Sequence, residues 1–137
     1  GADIYDDYAH HPTEIREVIN GVNNSYKEKK IICVFQPHRI SRLNDLKNEF
    51  SASFKKVDSV ILCPIYKAGE NLKLNLNYNE FAKQIIKQSK VRVFFVNSQY
   101  QLAKFLKNFL NQENIVIGMG AGSISNWIKE LPRLIRK

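Results

Sequence analysis

The chain predicts a three-layer α/β domain, a mostly parallel sheet of about six strands flanked by helices. Two observations carry that expectation. Short apolar runs rich in Val, Ile and Phe recur along the 137 residues. They are continuous rather than alternating, as strands buried on both faces are. Between them, apolar residues fall at i, i+3, i+4 and i+7, the spacing of a helix with one buried stripe. Strands alternating with helices of this length argue for βαβ units and a parallel sheet, and right-handed crossovers leave few topologies.

The elements follow in order. "ADIYDDY" is a short first strand that ends in acid. Pro12 and Thr13 open a helix whose stripe is Ile15, Val18, Ile19 and Val22. "KKIICVFQ" (29–36) is the second strand, followed by a stripe of Leu43, Leu46, Phe50 and Phe54. "VDSVILCPI" (57–65) is the third strand, and "CPIYKAGENLKLNLNY" (63–78) is the longest connection without clear periodicity. Loops of that length in compact domains are often functional. Phe81, Ile85 and Ile86 mark a helix before "KVRVFFVN" (90–97). Leu102, Phe105, Leu106 and Phe109 mark another before "NIVIGMG" (114–120). The last segment, "SISNWIKELPRLIRK", is a helix expected to bend or break at Pro132. There is no repeat, low-complexity tract or linker, so residues 1–137 are expected to form one domain.

Composition excludes several classes. Hydrophobic residues make up 44%, enough for a packed core and against disorder. The two cysteines, Cys33 and Cys63, each sit inside an apolar run and are expected to be buried free thiols. That usage fits a reducing, cytoplasmic compartment. No apolar run approaches the length of a membrane span. The net charge of +8 admits an anionic partner such as nucleic acid. The lysines, however, are scattered through "NNSYKEKK", "FKK" and "KQIIKQSK" without stacking aromatics. Solvated helix faces are the better account, and neither a nucleic-acid nor a membrane partner is expected.

In open parallel sheets, ligands bind beyond the C-terminal ends of the strands. Four polar stretches fall there: "DDYAHHPT", "QPHRISR", "PIYKAGE" and "GMGAGS". In "QPHRISR" (36–42), Pro37 stops the strand and Ser41 can cap the following helix. His38, Arg39 and Arg42 would then stand at a helix mouth. Two arginines there oppose the helix dipole, which tilts the reading toward anion binding. In "DDYAHHPT" (6–13), adjacent histidines without HxH or HxxxH spacing make a metal site the minor reading. A residue before Pro12 can simply be a cap. Alternatively Asp7 hydrogen-bonds a ribose or helps hold a cation, and His10 donates to an anion or accepts a proton. "GMGAGS" (118–123) is better explained by a tight turn and close helix–strand packing than by a dinucleotide, though its backbone N–H groups could still bind an anion. "YKAGE" (66–70) is weak by itself, and no GxxxxGK[ST] phosphate loop or nucleophile elbow occurs in the chain.

Together, "DDYAHHPTEI", "FQPHRISR", "YKAGE" and "GAGSIS.W" resemble, in order and spacing, the C-terminal domain of bacterial Mur ligases. The resemblance spans essentially the whole chain. It implies a Rossmann-like, amino-acid-binding domain, the third of three. The other two, a UDP-sugar-binding domain and a central domain with the ATP phosphate loop, are not in these residues. The family makes peptidoglycan precursors: ATP with Mg2+ phosphorylates the lactyl carboxylate of a UDP-linked sugar, and an amine then attacks the acyl phosphate. By the same resemblance, Arg39 and Arg42, with His38 beside them, supply the positive field for the amino-acid carboxylate. Tyr8 and His10 line the cleft, and Asp7 is a nucleotide-side contact. No residue of this domain alone would be catalytic, and no metal ligand is expected in it. Lys67 stands where proline is frequent, and Ala9 where glycine is common, so the backbone at Ala9 either does not need a positive φ or tolerates one. Tyr8 and Glu14 favour the member that joins L-alanine to UDP-N-acetylmuramate. The alternatives are a relative that recycles preformed peptides and a basic nucleic-acid- or nucleotide-binding module.

Overall fold

The computed structural model describes residues 3–37, 45–65, 78–109 and 113–136. Five strands form in them: β1 (Asp3–Asp7), β2 (Lys30–Phe35), β3 (Ser59–Leu62), β4 (Arg92–Phe95) and β5 (Asn114–Met119). The helices are α1 (Pro12–Ser25), α2 (Lys47–Ser51), α3 (Tyr78–Ser89), α4 (Gln99–Phe109) and α5 (Ile124–Arg136). All strand pairs are parallel, in the order β1-β5-β2-β3-β4. The expected sheet of about six strands is thus five among the described residues. "ADIYDDY" and the four apolar runs each supply one strand.

The register aligns the strand ends. Met119 faces Asp7 on one side and Phe35 on the other. Phe35 in turn faces Leu62, and Leu62 faces Phe95. One straight row across the sheet therefore marks the edge from which every following loop departs.

Side chains alternate across the sheet and build two cores. Ile31, Cys33, Phe35, Val60, Leu62, Ile115 and Ile117 pack with Ile15 and Ile19 of α1, Phe50 of α2 and Phe81 and Ile85 of α3. Ile32, Val34, Ile61 and Val116 pack with Leu102 and Leu106 of α4 and Ile124, Ile128 and Leu131 of α5. This partition is what right-handed crossovers require. The connections from β1 to β4 run one way along the sheet, and the return to β5 runs the other.

Three expectations change. The run at β4 is not buried on both faces: Arg92 and Phe95 are exposed, because β4 is an edge strand covered less completely. Ile86, assigned to the buried stripe of α3, is 48% exposed, whereas Phe81 and Ile85 are fully buried. Helix α5 runs through Pro132 without a break. Leu131 before it and Leu134 and Ile135 after it pack on the same core, which holds the helix across the missing N–H. Leu43, of the second stripe, lies outside the described residues.

Gly118 is required by packing. A Cβ there would lie 2.3 Å from Cγ1 and 2.6 Å from Cδ1 of Ile128, so α5 seats directly on the β5 backbone. Gly118→Ala is expected to lower stability by about 1–3 kcal/mol through overpacking. Ile128→Ala in the same chain should recover part of that loss, as read by urea denaturation of the double-mutant cycle.

Both cysteines are buried and free, as expected. Burial pushes the Cys63 thiol from 9.0 up to about 12. Burial also raises Cys33, with a smaller contribution from Cys63. A raised thiol favours the protonated form in the folded state. Its contribution to stability is therefore complete below the ordinary thiol pKa and is lost as pH rises from about 9 toward 12. The native chain is expected to resist a thiol reagent at about pH 8 and to titrate fully in denaturant. Its urea midpoint should fall across the alkaline range, and less steeply in Cys63→Ala.

Candidate functional site

Beyond the strand row, the loops after β1 and β5 part company. The chain after β1 enters α1 on one face, and the chain after β5 enters α5 on the other. Adjacent strands whose connections diverge leave a crevice at their C-terminal ends, the usual ligand position in such sheets.

The β1 tip is an ordered polar turn. Asp7 Oδ1 accepts a hydrogen bond from the Ala9 N–H at 2.9 Å, closing the turn through its side chain. Ala9 is buried, and among the described residues Lys90 is the only non-glycine with positive φ, so Ala9 tolerates the place where glycine is common. Tyr8 is 68% exposed, and its ring meets the His10 imidazole edge-on, centroids 6.0 Å apart.

The two histidines have separate tasks. His11 is the N-cap of α1: its Nδ1 accepts from the Thr13 N–H, and Pro12 begins the helix. Glu14 completes a capping box, its Oε1 accepting from the His11 N–H at 3.2 Å and, at 3.5 Å, from the His10 N–H. His10 Nδ1 lies 2.9 Å from the Tyr8 carbonyl oxygen. A carbonyl cannot donate, so Nδ1 carries the proton and the neutral ring keeps its lone pair on Nε2. In His11 the accepting atom is Nδ1, so its neutral proton sits on Nε2. The adjacent rings thus hold opposite tautomers, each set by backbone.

The crevice is tied to α5. The Ser125 hydroxyl donates to Asp6 Oδ2 at 2.6 Å, and the Gly120 N–H donates to the Asp7 carbonyl at 3.3 Å. Gly120 has φ +151°, and a Cβ on it would lie 2.9 Å from the Gln36 carbonyl oxygen. Gly118 and Gly120 of "GMGAGS" therefore serve close approach. Among the described residues no group of three His, Cys, Asp or Glu side chains converges as a metal site.

Gln36 is the residue that reading along the chain missed. It is 3% exposed, just past the end of β2. Its Nε2 donates to the Pro64 carbonyl at 3.2 Å and to Ser123 Oγ at 2.9 Å. Its Oε1 accepts from the Ile124 N–H at 2.9 Å, the start of α5. One amide therefore fills the gap between the β2, β3 and β5 tips. The only signal in sequence was a polar residue directly after a buried apolar run. Of the residues singled out from sequence, the structure gathers Asp7, Tyr8 and His10 at one tip. His38, Arg39 and Arg42, with Ser41, Tyr66, Lys67 and Glu70, lie outside the described residues.

A family model described as Mur ligase, glutamate ligase domain, matches residues 1–122. The chain is 67% identical over 132 residues to the UDP-N-acetylmuramate–L-alanine ligase of Pelagibacter ubique (strain HTCC1062), an alignment that spans 96% of this chain and 28% of that protein. The protein of the same name from Clostridium kluyveri (strain NBRC 12016) is 39% identical over 124 residues, 90% of this chain and 27% of its own length. Among solved structures, UDP-N-acetylmuramate–alanine ligase from Thermotoga maritima superposes with a TM-score of 0.72 at 23% identity, over 97% of this chain and 27% of that one. A murein peptide ligase from Psychrobacter arcticus 273-4 gives a TM-score of 0.77 at 16% identity, over 96% and 27% respectively. At those identities the structures speak for the fold. This chain spans little more than a quarter of the length of the relatives it matches, 28% and 27% for the two named. By the matched family model and the shared sequence, the chain belongs to the Mur ligase, glutamate ligase domain family.

Proposed function

We propose that this chain is the amino-acid-binding, C-terminal domain of an ATP-dependent UDP-N-acetylmuramate–L-alanine ligase of peptidoglycan precursor synthesis, acting in the cytoplasm. The observation that carries this reading is the 67% identity over 132 residues to a relative of that name. Identity of that level favours alanine over a preformed peptide as the amine donor. The domains that bind the UDP-sugar and ATP would lie in parts of the protein beyond these residues, in keeping with the fraction of each relative that the chain spans.

Ligation needs the amino-acid carboxylate neutralised while its amine stays free to attack an activated carboxylate. A pair of guanidinium groups supplies such a clamp bidentately and in fixed orientation. Arg39 and Arg42, with His38 beside them, are the residues proposed for it. Tyr8 and His10 would line the same cleft. The exposed phenol of Tyr8 suits a ligand that brings a hydrogen-bonding group. Asp7 would meet the nucleotide from across the domain interface. ATP and Mg2+ would be held chiefly by the central domain. The described acids of the tip suit that division: Asp7 Oδ1 is engaged by Ala9 and Asp6 Oδ2 by Ser125. The chain's work is positioning and charge neutralisation, with the bond-making groups supplied by the substrates.

The isolated chain is expected neither to hydrolyse ATP nor to ligate alanine. Joined to the remainder of its protein it should support alanine-dependent phosphate release, and the absence of such release would remove the ligase reading. In that full-length protein, Arg39→Ala is expected to raise the alanine KM by roughly tenfold or more while the UDP-sugar KM changes by less than about twofold. Equal changes in both would remove the clamp.

A further inference from the structure

The Gln36 amide lies two strands across the sheet from β1, yet hydrogen bonds lead from it to the Tyr8–His10 tip. Its Oε1 holds the Ile124 N–H and its Nε2 holds Ser123 Oγ, so the segment between β5 and α5 is fixed at its helical end. At the other end, the Gln36 N–H donates to the Met119 carbonyl at 3.0 Å. Between these points the Gly120 N–H donates to the Asp7 carbonyl, and one residue past Ile124, in the first turn of α5, Ser125 Oγ donates to Asp6 Oδ2. Asp7 Oδ1 then holds Ala9, and the Tyr8 carbonyl holds His10 Nδ1.

The turn has little room to relax by itself. Gly120 approaches Gln36 and Ile124 so closely that a Cβ would be 2.9 Å from the carbonyl oxygen of the first and 2.8 Å from Cγ2 of the second. Ile124 is fully buried, so loss of the amide oxygen leaves an N–H without an acceptor in a dry site. The inexpensive response is a shift of the turn toward another partner. Such a shift displaces the two contacts that seat the β1 tip.

We propose that Gln36 is a positioning residue of the amino-acid site: its buried amide sets the height of the β5–α5 turn, and the turn sets the orientation of the Asp7–His10 tip. The kinetic consequence rests on the ligase reading above; the structural coupling does not.

The test uses the full-length protein with Gln36→Met, which keeps the side-chain volume and loses all three hydrogen bonds. Gln36→Glu is the second variant, since a protonated carboxyl keeps one acceptor and one donor. KM values for alanine, ATP and the UDP-sugar are measured with the melting temperature. In parallel, long-range 1H–15N spectra of histidine-labelled protein report the His10 tautomer, assigned by the signal lost in His10→Gln. Gln36→Met is expected to raise the alanine KM by roughly tenfold or more, with smaller changes for the other substrates. It should also move the His10 ring away from its Nδ1–H signature, with Gln36→Glu falling between it and the parent. A folded Gln36→Met protein with unchanged alanine KM and an unchanged His10 signal, whatever its melting temperature, would overturn the proposal. If the parent protein shows no alanine-dependent turnover, the ligase reading fails separately. The His10 spectrum then decides the coupling alone, a moved signal supporting it and an unmoved one overturning it. Should Gln36→Met not fold, the same comparison is decided on Gln36→Glu.

Discussion

β5 is hydrogen-bonded to a parallel strand on each side and buried on both faces, and the geometry of the ligand edge depends on that insertion. The last strand of the sheet enters between the first and the second. It brings the tail of the domain against its start, so residues far apart in sequence become neighbours at one edge. Two-sided burial also dictates the composition of β5. Only Ile, Val, Met, Gly and the leading Asn are found there, and Gly118 lets α5 sit on the backbone itself. A larger residue there would have to push α5, and with it the Ser125 contact to Asp6, away from the site.

The polar edge follows a second constraint. A buried or half-buried turn must satisfy its own N–H and C=O groups, because water reaches them poorly. The β1 tip does this locally: Asp7 serves Ala9, His11 serves Thr13, and Glu14 serves His11. The β5–α5 turn cannot do so from its own sequence of small residues and takes Gln36 from β2 instead. The first tip therefore closes its own turn and meets α5 through the Gly120 and Ser125 contacts, whereas the second depends on the sheet around it. Within "DDYAHHPTEI", Asp6, His11 and Glu14 hold the backbone and its neighbours, and the Tyr8 ring projects outward.

Most of the fold was legible along the chain. Burial on both faces leaves a continuous apolar run, and β2, β3 and β5 announce themselves that way. The helical stripes of α1 and α4 were equally plain. What the patterns could not convey was position within the sheet. The run "RVFF" has the composition of a central strand and occupies an edge, because strand order is decided by crossover direction and not by the strand's own residues. Pro132 removes a hydrogen bond, which the sequence makes obvious. The apolar contacts on either side that hold α5 through it belong to another element. The candidate site divides likewise. Asp7, Tyr8 and His10 were visible as a cluster because they are adjacent. Gln36 was not, since its partners Ser123 and Ile124 lie 87 and 88 residues away.

By itself the sequence determined the alternation of strands and helices, the parallel sheet, the buried thiols, the capped start of α1 and the family motifs at the strand ends. These are local properties, set by side-chain periodicity and by residues that satisfy their neighbours' backbone. The tertiary structure alone decided the order of the strands, the exposed edge at β4 and the hydrogen bonds of Gln36. Each of these depends on which groups meet after the chain has crossed the sheet. A hydrogen bond or a close contact is fixed by distance in space, and separation along the chain does not encode that distance.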